Sequence, residues 1–156
     1  MSELATAMPA RMPKALPAIL VGGLTAGGLD LIAAFVSYGM RVPRVIAAGL
    51  LGRQVIPVSS VPVYALGVFL QFFIATCAAV IYYLVSRKLD FLKEHPLVCG
   101  PFYGIAVYLV MNLIVLPLSA LHSHGPYQLA SLIQGLLIHM ILIGLPIAIS
   151  VRHFSQ

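Results

Sequence analysis

The sequence is poor in charged residues. Only 8% of its 156 residues are Asp, Glu, Lys or Arg, whereas soluble domains carry roughly a quarter. Hydrophobic residues make up 61% of the chain, and the mean hydropathy is +1.04. This composition argues against an ordinary soluble domain and is typical of an integral membrane protein. The length predicts one compact unit.

Catalytic motifs are also missing. The sequence has no GxSxG, P-loop or HExxH pattern, and Asp30 is the only acidic residue inside a long apolar run. The loops are too short to carry a hydrophilic catalytic site. We therefore predict no catalytic residue and no cofactor, and a small membrane enzyme is the least favoured of the functional hypotheses.

Cysteine and histidine show no convincing metal-ligand pattern. Cys77 and Cys99 lie in or beside apolar runs without CxxC or Cys/His spacing, so we interpret them as packing residues. His122 and His124 form a His-x-His pair, but no nearby carboxylate completes a ligand set. We expect no metal site.

Basic residues are present but scattered. The nine Lys and Arg residues flank apolar runs and form no patch with interleaved aromatics, so nucleic acid is not an expected partner. They instead bear on orientation in a lipid bilayer. Six lie on the side of the termini and three (Arg41, Arg44 and Arg53) on the other side. The positive-inside rule then predicts cytoplasmic termini.

Four apolar runs, at about 17–39, 62–85, 97–118 and 128–151, are long enough to cross a membrane, because a helix rises about 1.5 Å per residue and the hydrocarbon core is about 30 Å thick. Backbone groups in lipid must bond to each other, so each run is predicted to be a helix. The first run is too long for a signal-peptide core and is interpreted as a retained span. We predict an all-α, integral membrane four-helix bundle, with residues 1–16 and 153–156 as cytoplasmic tails.

The segment between the first two runs, at about residues 43–54, is apolar but too short to cross the membrane. Pro43 suits the first turn of a short helix that would run to about Arg53. We favour a helix lying in the outer interface. A re-entrant segment that caps the bundle is the alternative.

Asp30 lies in the stretch GLTAGGLDLIAAFVS, among small and apolar residues. Residues three, four or seven positions away share its helix face. All of them are small, namely Gly23, Ala26, Gly27, Ala33, Ala34 and Ser37. Small faces let membrane helices approach closely, so this face is predicted to contact another helix, and Asp30 is predicted to point into the protein.

Each of the other runs contributes a polar residue at a similar depth. Counting about 1.5 Å per residue from the cytoplasmic ends places one layer at roughly 18 to 22 Å. Its members are Asp30, Gln71, Asn112 and His139. An Asp at a span centre costs about 2.5 to 3.5 kcal/mol on insertion scales, so it should be protonated, paired or hydrated. His139 is the candidate partner within the layer, and Arg41 and Arg53 are candidates from the outer segment.

A resemblance to other proteins rests on three stretches of the sequence, YYLVSRKLDFLKEHP, YGIAVYLVMNLIVLPLSA and LLIHMILIGLPIAI. With them the chain resembles a group of small uncharacterised bacterial inner-membrane proteins over roughly residues 18–152. The resemblance implies a four-helix inner-membrane protein. It implies no activity and transfers no functional residue.

Two functional hypotheses remain ahead of the enzyme. The leading one is a non-enzymatic accessory or oligomeric scaffold protein, whose polar layer fixes helix packing through hydrogen bonds. The alternative is a small proton-coupled transporter or channel that uses Asp30 with His139, since intramembrane ionisable groups often mark ion paths. Transport through so small a bundle would require a dimer. The expected partners are the lipid bilayer and either further copies of the chain or a larger membrane complex.

Overall fold

The structure, a computed structural model, describes residues 15–124 and 128–155. This part of the chain is helical and has no strand. Its six helices are α1 (Ala15–Tyr38), α2 (Val42–Leu51), α3 (Val61–Ser86), α4 (Phe91–Glu94), α5 (Pro96–Leu118) and α6 (Leu129–Ser155). The predicted all-α class is confirmed.

Four of these helices, α1, α3, α5 and α6, are long and apolar enough to cross a membrane. The chain is therefore a multi-pass membrane protein. The observed helices begin and end within a few residues of the predicted spans, with one difference: α6 continues to Ser155, so most of the predicted C-terminal tail is helical. The predicted N-terminal tail lies outside the described residues as far as residue 14.

The long helices pack in the order α3, α1, α6, α5. At the end of the bundle that carries α4, α5 also meets α3, where the Tyr103 hydroxyl donates to the Ala78 carbonyl at 2.6 Å. The rings of Tyr82 and Tyr103 pack edge to face there, with centroids 4.9 Å apart. We call this end the α4 end, and the opposite one the α2 end.

Small residues bring the helices of the bundle close together. A Cβ on Gly23 would lie 2.7 Å from the Cα of Thr76 on α3, and one on Gly22 would lie 3.3 Å from the Cα of Ile147 on α6. Side chains there would force the helices apart. The predicted contact of the small face of α1 with another helix is therefore confirmed for Gly23, which meets α3, and the neighbouring Gly22, outside the predicted face, meets α6.

The α5–α6 contact uses the same device. A Cβ on Gly104 would overlap the carbonyl of His139, and one on Gly144 would overlap the carbonyl of Gly100. Both helices contain a π-helical turn, His139–Gly144 in α6 at this contact and Met111–Val115 in α5 nearer the α2 end. Such turns insert an extra residue into a helix and are frequent at functional sites.

Helix α2 lies across its end of the bundle. It packs on α3 where Gly67 leaves room for the Pro43 backbone. The turns at its two ends contain Gly39 (φ 76°) and Gly52 (φ 93°), whose positive φ angles favour glycine. The Ala120 amide donates to the Gly49 carbonyl at 2.8 Å, which ties α2 to the chain after α5. The predicted short helix is present. Its position in the interface stays a prediction.

Candidate functional site: an acidic residue between two cavities

Asp30 is half-buried in the second half of α1. The Gln71 side-chain amide on α3 donates to its Oδ2 at 2.7 Å. Within residues 15–124 and 128–155, no hydrogen bond reaches the second oxygen, Oδ1. The carboxylate thus has a neutral partner and one oxygen available for another group.

His139 is the first residue of the π turn in α6. Its Nδ1 lies 2.9 Å from the Gly135 carbonyl. A carbonyl can only accept, so Nδ1 carries a proton, and in the neutral ring Nε2 is an acceptor. The Tyr108 ring packs edge-on against the imidazole, with centroids 5.2 Å apart.

Asn112 is the second residue of the π turn in α5. Its side-chain amide donates to the Tyr108 carbonyl at 2.9 Å, within its own helix. This bond satisfies a backbone acceptor at the π turn and joins no two helices. Its side-chain oxygen remains an acceptor for a further group.

A first cavity of about 290 Å³, the apolar cavity, lies beneath α2 between α3 and α5. Its polar lining residues are Asp30, Gln71, Ser119 and His139. The remaining wall is apolar and consists of Val45, Ile46, Gly49, Leu50, Leu70, Ile74, Ala75, Ala78, Val107, Met111, Val115, Leu116, Leu121 and Ile143. An occupant would therefore meet hydrocarbon almost everywhere except at Asp30, Gln71 and His139 and at Ser119 beside α2.

A second cavity of about 210 Å³, the polar chamber, lies between α1, α5 and α6. It is lined by Asp30, Ala34, Tyr38, Tyr108, Asn112, Ser131, Gly135, Ile138 and His139. Most of these side chains carry a hydroxyl, amide, carboxyl or imidazole group. Asp30 and His139 line both cavities.

The four residues predicted as one layer thus all lie on cavity walls, Gln71 on the apolar cavity and Asn112 on the polar chamber. Among the described residues, the layer makes one hydrogen bond between helices, from Gln71 to Asp30. Asp30 and His139 are brought to the same cavities, but neither a hydrogen bond nor an ion pair joins them in the described part of the chain.

The two arginines predicted as partners of Asp30 lie elsewhere. The Arg53 guanidinium donates to the Leu121 carbonyl at 3.0 and 3.3 Å, and Arg41 is exposed at the N-terminus of α2. No lysine or arginine lines either cavity. Across the described ranges, the ion pair present joins Lys93 to Asp90 at 2.7 Å, at the α4 end. Asp30 is paired with neither arginine.

Tyr108 is the site residue that the sequence did not single out. Its side chain is only 6% exposed, and its hydroxyl is the buried side-chain group that has no hydrogen-bond partner in the described parts of the chain. A Cβ on Gly135 would lie 3.3 Å from this hydroxyl, which places the group beside another residue of the chamber wall. The available signal was its helix face, shared with Asn112.

Metal ligands do not gather in the described residues, where no group of three or more His, Cys, Asp or Glu side chains could hold an ion. The fold and site therefore define a multi-pass helical membrane protein with one intramembrane carboxylate between an apolar and a polar cavity. No family model, curated protein or solved structure matches the chain. The geometry and chemistry of the two cavities are the basis for assigning a function.

Proposed function

We propose that this protein is a small membrane carrier that binds a largely apolar molecule bearing one cationic group. One observation supports this most strongly: Asp30 lines the apolar cavity, and its only hydrogen-bond partner in the described residues is the neutral amide of Gln71. The ligand's cation would contact the carboxylate, and its apolar body would fill the rest of the cavity.

The charge of Asp30 explains why a cation fits. An ionised carboxylate inside a span is costly unless a positive group or a proton compensates it. None of the residues that line the two cavities is a lysine or arginine, and the titratable ones beside Asp30 are Tyr38, Tyr108 and His139. A proton and a cationic ligand therefore compete for the same carboxylate. This competition is the physical basis for coupling ligand movement to proton movement.

The size and walls of the cavity restrict the ligand. A volume of about 290 Å³ is at the lower end of the range of about 300 to 1,000 Å³ for small-molecule pockets. Branched and straight apolar side chains from α2, α3 and α5 form the walls. A compact aromatic or alkyl ammonium ion meets both requirements.

Three probes of nearly equal shape test the proposal: 2-phenylethylammonium, 2-phenylethanol and propylbenzene. Ligands that bind the folded state raise its melting temperature. We expect the ammonium ion to stabilise the purified protein most, and Asp30→Asn to remove that advantage while the alcohol still binds. Equal stabilisation by all three probes, or undiminished ammonium binding to Asp30→Asn, would refute the proposal.

Carrier function is tested in proteoliposomes. An outward gradient of 2-phenylethylammonium should drive proton uptake with the wild-type protein, and Asp30→Asn should abolish this flux. Since a bundle of four spans is small, we propose that transport uses a dimer, which crosslinking in the same vesicles would detect. If the protein bound 2-phenylethylammonium without any coupled proton flux, it would be a binding protein, and the carrier function would be excluded.

The scaffold hypothesis is the second candidate, because the Gln71–Asp30 hydrogen bond does join α3 to α1. Asp30→Asn keeps a hydrogen-bonding group, whereas Asp30→Leu does not. A scaffold predicts that Asp30→Asn is silent in every assay and that Asp30→Leu changes the oligomeric state. A carrier predicts that Asp30→Asn folds and assembles normally but loses proton-coupled flux.

We also propose that both termini lie in the cytoplasm of a bacterial cell, with the protein in the inner membrane. The distribution of basic residues, six on the side of the termini against three, supports this orientation. A pair of reporters fused after Gln156, one active only in the cytoplasm and one only outside it, tests the orientation. Activity of the external reporter alone would reverse it.

A further inference from the structure

We infer that the polar chamber holds a short chain of water molecules through which Asp30 exchanges protons with the solution at the α2 end. The apolar cavity would then serve the ligand, and the chamber the proton. This inference goes beyond the proposed carrier function, because water in the chamber requires no ligand in the other cavity.

The Tyr108 hydroxyl is the first observation that points to water. It is buried, it lies beside the chamber wall, and it has no partner among residues 15–124 and 128–155. Buried polar groups are almost always hydrogen-bonded, either to protein or to an ordered water. A small movement of the surrounding side chains that opens this hydroxyl to the chamber would let a water satisfy it.

The second observation is the chemistry of the other chamber groups. The amide of Asn112 and the Nδ1 of His139 already donate to backbone carbonyls, which leaves the Asn112 oxygen and the His139 Nε2 as acceptors. Asp30 adds an acceptor in Oδ1. The same cavity also holds donors, namely the hydroxyls of Tyr38, Ser131 and Tyr108 and the second amide hydrogen of Asn112, and a water molecule can bond to both kinds of group. Ser131 and Tyr108 donate and accept, so they can continue a chain of such bonds.

The chamber also has the length and volume for such a chain. Tyr38 and Ser131 lie near the α2 ends of α1 and α6, and Asp30 and His139 lie eight positions deeper (38 − 30 and 139 − 131). Eight residues of helix span about 12 Å. The volume of about 210 Å³ accommodates several waters, each of which takes about 30 Å³ in the liquid.

Thiol labelling distinguishes a hydrated chamber from a dry one. In a Cys77→Ala, Cys99→Ala background, Ala34→Cys places a thiol on the chamber wall, one turn from Asp30. The matched control is Val36→Cys, since Val36 is on the same helix, nearer the α2 end, and 84% exposed on the outer surface of the bundle. A charged, water-soluble methanethiosulfonate reagent reaches only thiols in contact with water.

We expect the reagent to modify Ala34→Cys at least tenfold faster than Val36→Cys in membranes, and only when it is added on the side of the α2 end. The deeper thiol reacts faster only if water enters the chamber. Equal rates, slower reaction at position 34, or reaction from the α4 side would overturn the inference. Ser131→Cys, at the mouth of the chamber, provides the same test should Ala34→Cys fail to fold.

Tyr108→Phe gives an independent measurement. In a dry chamber the buried hydroxyl lacks a hydrogen-bond partner and destabilises the folded protein. Its removal would then raise the melting temperature, which would contradict the inference. In a hydrated chamber its removal costs a hydrogen bond to water, so we expect an unchanged or lower melting temperature. Neither measurement uses a ligand, and a dry chamber would therefore leave the ammonium-binding test of the carrier proposal intact.

Discussion

The two cavities share Asp30 and His139 but differ in nearly everything else. The apolar cavity is lined mainly by Val, Ile and Leu side chains of α2, α3 and α5. The polar chamber is lined by every fourth residue of two helices, namely Asp30, Ala34 and Tyr38 on α1, and Ser131, Gly135 and His139 on α6. The difference shows how one carboxylate can face an apolar ligand site on one side and a route for protons on the other.

Hydrogen bonds within the polar layer are not the main force that holds the bundle together. Glycine and alanine contacts bring α1 to α3 and α6, and α5 to α6. The polar layer contributes one bond between helices. An interhelical hydrogen bond in a membrane is worth about 0.6 to 2 kcal/mol. The bond between Gln71 and Asp30 can therefore break while the protein functions without unfolding the bundle.

Asp30→Asn should show the largest difference between the two cavities, because it should impair ligand binding in one and leave thiol labelling in the other. We expect it to weaken 2-phenylethylammonium binding by about 2 to 5 kcal/mol, the usual range when one partner of a buried charge pair is removed. Labelling of Ala34→Cys in the same background should persist, because the chamber walls are unchanged. Isothermal titration in detergent and thiol labelling in membranes measure the two effects. Loss of labelling together with binding would show that the mutation disturbs the whole bundle.

Of the two cavities, Gly67→Ala should affect only the apolar one. Its Cβ would overlap the Pro43 carbonyl, so α2 must move away from α3. Overpacking of this kind costs about 1 to 3 kcal/mol, and the cavity should lose its cover. We expect a lower melting temperature and weaker ligand binding.

Gly28→Ala is the matched control, because the nearest atom to its Cβ is Phe72 Cε1 at 4.0 Å. Alanine is favoured over glycine inside helices by about 0.5 to 1 kcal/mol, so this variant should be as stable as the wild type or slightly more so. Equal destabilisation by the two substitutions would show that close packing of α2 on α3 is not what Gly67 provides.

Gln71→Leu should have a smaller effect. It removes the hydrogen bond to Asp30, and an interhelical hydrogen bond in a membrane is worth about 0.6 to 2 kcal/mol. Gln134→Leu is the control, since it removes the exposed bond from Gln134 to Ser37 (3.0 Å), which also joins two helices. Surface substitutions usually change stability by less than about 0.5 kcal/mol. Equal losses of unfolding free energy from the two substitutions, measured by chemical denaturation, would show that the bond to Asp30 is no stronger than an exposed one.

Much of this architecture is predictable from the sequence, since it follows from local patterns. Apolar run length identifies the four spans, and helical periodicity identifies the small face of α1. The helical phase of each polar residue predicts an inward position, and Asp30, Gln71, Asn112 and His139 all lie on the walls of the two cavities. Whether these residues form a functional site stays a prediction.

The sequence does not reveal which helices become neighbours. Periodicity orients a side chain on its own helix, but the order α3, α1, α6, α5 depends on the fit of whole surfaces. For this reason Gln71 meets Asp30, whereas Asn112 bonds to its own backbone and Arg53 to the Leu121 carbonyl. The π turns and the buried Tyr108 hydroxyl also emerge only from this packing.

The central claim is that a proton and a cationic ligand compete for Asp30. The most direct test is the affinity for 2-phenylethylammonium as a function of pH, with Asp30→Asn beside the wild type. Competition predicts that wild-type affinity falls as the pH is lowered, by up to about tenfold per pH unit, because the ligand binds the state without the proton. The Asn variant should bind weakly at every pH. A wild-type affinity that does not change with pH would contradict the account.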